Sequence, residues 1–152
     1  MKNLIFLILL CAATSLSAQN ALHLADLEKL APYSFKEFDT YTLRNGYAAL
    51  KSANEKTLKY VSTDGEEGKK NKLIMSKDED GEMLFFMTYD TTYHSTIKNE
   101  LKAAGYKEES PVKSSDGKSE YPNFSKGRYT VLLKVSVDKN GNQLYTTVVS
   151  KG

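Results

Sequence analysis

The sequence predicts an α+β fold, a tandem duplication of a helix-plus-antiparallel-sheet unit. The order is α-β-β-β(-β) twice, with the helices packed on one sheet face. Three observations carry this. A Gly-Tyr pair closes two helix-like stretches, at Gly46-Tyr47 and at Gly105-Tyr106, 59 residues apart. Short runs rich in β-branched and aromatic residues follow each closure. Each set of runs holds an Asx-Gly pair, Asp80-Gly81 and Asn140-Gly141, the strongest short hairpin signal.

The chain begins MKNLIFLILLCAATSLSAQN, with a basic start at Lys2, an apolar run and then small residues. That layout predicts a secretory signal peptide over residues 1–18, cut after Ser17 or Ala18. The run is shorter than the roughly 20 residues a membrane-spanning helix needs. Cys11 is the only cysteine. Leu10 precedes it where a lipoprotein signal calls for a small residue, so cleavage is expected to leave a mature chain without thiols. Disulfides, thiolate catalysis and Cys-based metal sites are then excluded. The expected location is periplasmic or secreted.

Residues 19–89 form the first predicted repeat, with an extra N-terminal helix, and residues 90–152 the second. In ALHLADLEKLA, Leu24, Leu27 and Leu30 make one helical stripe that Pro32 stops. Ser34 opens the next helix with Glu37 three residues on, the capping-box spacing. Phe35, Phe38 and Thr42 share a face, and Gly46 takes the positive φ of a helix stop. Strands are expected over 47–51, 58–62, 72–77 and 83–89. Residues 83–87 are apolar at every position, which predicts a central strand covered on both faces.

The second helix of this type follows Asp90 or Thr91, with Tyr93, Ile97, Leu101 and Ala104 on one face. A loop holding Pro111, SSDG and Pro122 is expected next, then strands over 129–137 and 144–149. Aligning the halves matches Gly46 with Gly105, Phe38 with Ile97, Leu73 with Leu133 and Leu84 with Leu144. The spacing does not decide whether the halves share one sheet or pack as separate lobes.

Chemistry-bearing motifs are scarce. Lys and Arg number 21 against 19 Asp and Glu, and removing Lys2 with the signal leaves a near-neutral chain. That balance excludes nucleic acid as an expected partner. The Asp-Gly and Asn-Gly turns fail as calcium loops, because Met87 and Thr147 stand where a bidentate Glu is needed. No metal site, cofactor or catalytic residue is predicted. His94 has Asp90 four residues before it and Lys98 four after, the pattern of a surface helix with i,i+4 pairs. Tyrosine is the compositional signal, at 10 Tyr, 6 Phe and no Trp. Tyr60, Tyr129 and Tyr145 fall on predicted strands and are the candidate binding residues, since rigid amphipathic rings suit binding surfaces.

The stretch ending SLSAQN, then FKEFDTYTLRNGY and IKNELKAAGY, resembles small exported proteins of Bacteroidota with the same tandem layout. In outline the arrangement is also similar to the β-lactamase-inhibitor protein fold. The likeness implies export and a helix-on-sheet tandem, and carries over no functional residue. The expected function is an exported, non-enzymatic binding or protein-interaction module. Its partner is an unknown protein or small ligand in the cell envelope, met by a sheet face or an inter-repeat groove. Alternatives are a subunit of a cell-envelope assembly and a hydrolase-type enzyme with a site near His94.

Overall fold

The computed structural model describes residues 21–52, 54–78 and 81–152. The expected signal peptide, with Cys11, lies outside the described residues, as does Asp80. Three helices and eight strands follow one another. They are α1 (Leu24–Leu30), α2 (Phe35–Arg44), β1 (Tyr47–Leu50), β2 (Thr57–Ser62), β3 (Lys72–Asp78) and β4 (Gly81–Thr88). Then come α3 (Tyr93–Ala103), β5 (Lys107–Lys113), β6 (Glu120–Lys126), β7 (Tyr129–Val137) and β8 (Gln143–Lys151). All strands join one antiparallel sheet in the order β1-β2-β3-β4-β8-β7-β6-β5. The last strand of each half therefore meets the other at the centre, and the halves share a sheet.

Local chemistry sets the helix ends. Ser34 caps α2 as expected. Its Oγ accepts the Glu37 amide at 3.3 Å, and the Glu37 carboxylate accepts the Ser34 amide at 2.8 Å. Gly46 and Gly105 close α2 and α3 at φ +78° and +79°, where a Cβ would clash with its own backbone. The chain then turns inward, and Tyr47 and Tyr106 are 3% and 7% exposed.

The helix stripes pack on alternate strand residues. Leu27, Leu30, Phe38, Ile97 and Leu101 are fully buried among Tyr60, Leu73, Leu84, Phe86, Phe124, Val131 and Val149. Burying each such side chain contributes about 1.5–3 kcal/mol, so this layer dominates the stability. The extra helix α1 is fastened to the second half. Its N-terminal Leu24 amide donates to Glu100 at 2.8 Å, and the Tyr106 hydroxyl donates to Glu28 at 2.7 Å.

Three expectations change. The predicted loop after α3 is two strands, β5 and β6, despite Pro111 and Pro122. β5 is an edge strand with a register shift between Glu109 and Val112, where a proline costs no ladder bond. Pro122 lies opposite that irregularity, and the β6–β7 ladder begins one residue later at Asn123↔Leu132. Next, residues 83–87 are central but covered on one face only. Leu84 and Phe86 are buried under the helices, whereas Met83, Phe85 and Met87 are half-buried on the other side.

Counting along the ladders gives a pairing of the halves different from the expected one. Starting from Gly46 and Gly105, Ala49 matches Glu108. Ala49 pairs with Tyr60, Tyr60 with Leu73 and Leu73 with Phe86. Glu108 pairs with Phe124, Phe124 with Val131 and Val131 with Val149. In this count Tyr60 falls level with Phe124, and Leu73 with Val131 rather than Leu133. All six residues beyond the first pair are buried core positions.

Candidate functional site

The three tyrosines predicted for binding all point to the helix-covered face. Tyr60 is 2% exposed, packs edge-on against Phe38 at 5.6 Å and donates its hydroxyl to Asp39. Burial, with the Asp39 hydrogen bond, pushes its pKa up to about 12. Tyr129 and Tyr145 are partly buried against the same core. The Tyr145 ring stands edge-on to His94 with centroids 5.1 Å apart, and its hydroxyl donates to Gln143 at 2.6 Å. None of the three lies on the uncovered side of the sheet.

That uncovered side carries a different set. Ile74, Phe85, Val148 and Leu132 are successive cross-strand neighbours on β3, β4, β8 and β7. Ile74, Phe85 and Leu132 are half-buried, and Val148 is 8% exposed because its neighbours crowd it. Met83 and Met87 flank the row on β4. Lys59, Lys72 and Lys134 share this face on β2, β3 and β7 by the same pairing. Among the described side chains, the alternation places no Asp or Glu on this face of the six inner strands.

A second place of interest lies on the helix side. A groove of about 560 Å³ opens between α3 and the β6–β7 pair. His94 and Lys98 line it from α3, Glu120 and Pro122 from β6, and Leu133 and Val135 from β7. The i,i+4 partnership expected between Asp90 and His94 does not form. The Asp90 carboxylate instead accepts the Thr92 amide at 2.9 Å and the Thr92 hydroxyl at 2.8 Å. His94 Nε2 is buried with no hydrogen-bond partner among the described residues. Burial lowers the His94 pKa, the nearby Thr146 peptide opposes that and the Lys98 charge adds to it. The imidazole is therefore neutral near pH 7. Ser95 and Ser119 also line the groove, but neither is hydrogen-bonded to His94 among the described residues. Among the described residues of this groove, no nucleophile–base contact of the kind used in covalent hydrolysis is formed.

Among the described residues no three His, Cys, Asp or Glu side chains gather as a metal group. No described helix is long and apolar enough to cross a membrane. The chain matches no protein-family model, and no curated protein or solved structure is significantly similar to it. Sequence reasoning pointed to His94 but missed the groove around it, because β6 was read as loop. It missed the apolar row as well, because 83–87 was read as covered on both faces.

Proposed function

We propose that the mature chain is an exported, non-enzymatic binding module that docks a protein partner on the sheet face the helices leave uncovered. The observation that carries this is the row Ile74–Phe85–Val148–Leu132. It is an apolar strip across four adjacent strands, set among lysines and, among the described side chains of the inner strands, without acidic neighbours. A contiguous apolar patch with charged residues at its margin is the composition of an interaction surface. The complementary partner has an apolar centre and an acidic rim. Export rests on the signal-like N-terminus.

The same reading takes the two halves as a duplicated α-β-β-β-β unit. Support comes from the mirrored strand order, the paired Gly-Tyr helix stops and the ladder correspondences of Tyr60 with Phe124 and Leu73 with Val131. Duplication builds a sheet of eight strands with helices on one side only, which leaves a broad second face free.

Charge reversal within the row tests the proposal. Leu132→Glu places an acid at its β7 end, and Leu43→Glu places one on an α2 residue that is 53% exposed. With residues 19–152 as bait in envelope extract, one saturable partner is expected with the parent and with L43E, and none with L132E. Capture unchanged in L132E, with the fold intact by circular dichroism, would remove the sheet face from the account.

A further inference from the structure

We propose that the groove between α3 and the β6–β7 pair binds a small free carboxylate with an apolar body about the size of an aromatic side chain. The inference rests on the correspondence of the two halves, because the first half shows what fills the corresponding place.

Counted back from Gly46 and Gly105, His94 and Lys98 match Phe35 and Asp39; the ladders supply the strand matches. Pro122, Leu133 and Val135 stand where Leu58, Met75 and Lys77 stand. In the first half that place is filled. Phe35 and Leu58 pack on the core, and Met75 is 1% exposed. The Lys77 stem closes over Phe35, its Nζ 5.8 Å from the ring centre and held by Glu82 at 2.5 Å. Asp39 accepts the Tyr60 hydroxyl.

In the second half each closing part is shortened or changed in sign. Val135 has no stem to reach across His94 and is itself 43% exposed. Pro122 and Leu133 present a shorter apolar wall than Leu58 and Met75. Tyr145, the cross-strand partner of Val135 as Glu82 is of Lys77, stands edge-on to His94 instead of pairing with a cation. Phe124 has no hydroxyl to offer. Lys98 replaces the acid that Tyr60 satisfies in the first half, and among the described residues it has no ion pair.

What remains is an apolar trough with one cation on its wall, Lys98, that forms no ion pair among the described residues. A ligand that matches it lays an apolar body along His94, Leu133 and Val135 and sets a carboxylate against the Lys98 ammonium. His94 adds no second positive charge while it is neutral. The exposed Glu120 carboxylate, on the same groove, disfavours a dianion. A single negative charge is therefore selected.

Chemical-shift titration of the folded chain, 19–152, tests this, because it reports site and affinity together. The probes are 3-phenylpropionate, its uncharged counterpart 3-phenylpropan-1-ol and the peptide Gly-Gly-Phe. Saturable shifts at His94 and the β6–β7 amides are expected with the acid, at least about tenfold tighter than with the alcohol, equivalent to about 1.4 kcal/mol. Lys98→Met keeps the stem and should erase that preference. Val135→Phe should block the groove, and thermal melts confirm that both variants fold. Equal binding of alcohol and acid would overturn the proposal, as would an acid preference that survives K98M. Tighter binding of Gly-Gly-Phe than of the free acid would overturn it in favour of a peptide terminus. An absence of groove shifts would end it. K98M leaves the opposite face untouched, so capture of a protein partner by that variant separates failure here from failure of the sheet-face reading.

Discussion

The Glu100 carboxylate of α3 accepts the Leu24 amide at the start of α1, 2.8 Å away, and its other oxygen meets His23 Nδ1 at 2.6 Å. One acidic side chain thus caps a helix 76 residues upstream and holds it over the shared core. The cap also places a negative charge at the helix N-terminus, where the backbone dipole favours it. Glu100→Ala should cost about 1–2 kcal/mol, since it strands a partly buried amide. Thermal unfolding checks this. Glu100→Gln keeps an acceptor and should cost less.

The same contact carries a pH signature. The Glu100 hydrogen bond and charge raise the His23 pKa above its ordinary value. A raised pKa means that the folded state holds the proton more tightly. The stabilisation is complete below about pH 6.5 and fades as pH rises through the raised value. The effect is small because the His23 side chain is 62% exposed and screened by solvent. Melting profiles from about pH 5 to about pH 8 should show this slope in the parent and lose it in E100Q.

His94 should act with the opposite sign. Its pKa is lowered chiefly by burial. Stability is therefore present above the unfolded value and drains away as pH falls through the depressed one. His94→Phe replaces the imidazole with an apolar ring that does not titrate. It should remove the acid limb of the stability profile and leave the neutral-pH fold at least as stable as the parent. A variant that still loses stability over the same acid range would assign that limb to another group.

Tyr60 ties α2 to the sheet through Asp39, and its pKa is raised to about 12. Stability should hold up to the ordinary tyrosine value near pH 10 and fall between there and the raised value. Tyr60→Phe should flatten that alkaline fall and cost about 1–2 kcal/mol at neutral pH, through the lost bond to a charged acceptor. Alkaline titration of the melting temperature in both proteins reads the difference.

Several of these residues were legible in the sequence for physical reasons. Ser34 and Glu37 announce a cap because the bond between them is local, and Gly46 and Gly105 announce stops because a positive φ is a single-residue demand. The burial of Leu27, Phe38, Ile97 and Leu101 follows from their helical spacing alone. β5 and β6 were hidden because proline reads as a strand breaker, whereas an edge position and a register shift remove the penalty. Residues 83–87 were misread because an all-apolar strand can be covered on both faces or can present one face to a partner. The groove was invisible for a further reason. Pro122 and Val135 come beside His94 only through ladder registers, which local sequence does not carry.

The central claim concerns the sheet face, and site-specific photo-crosslinking tests it most directly. A crosslinker replaces Leu132 in the apolar row, and a second protein carries it at Thr40, on the exposed side of α2. After illumination in envelope extract, the account predicts one dominant adduct from position 132 and none from position 40. A single adduct from position 40 with none from 132 would place the binding surface on the helices and contradict the account.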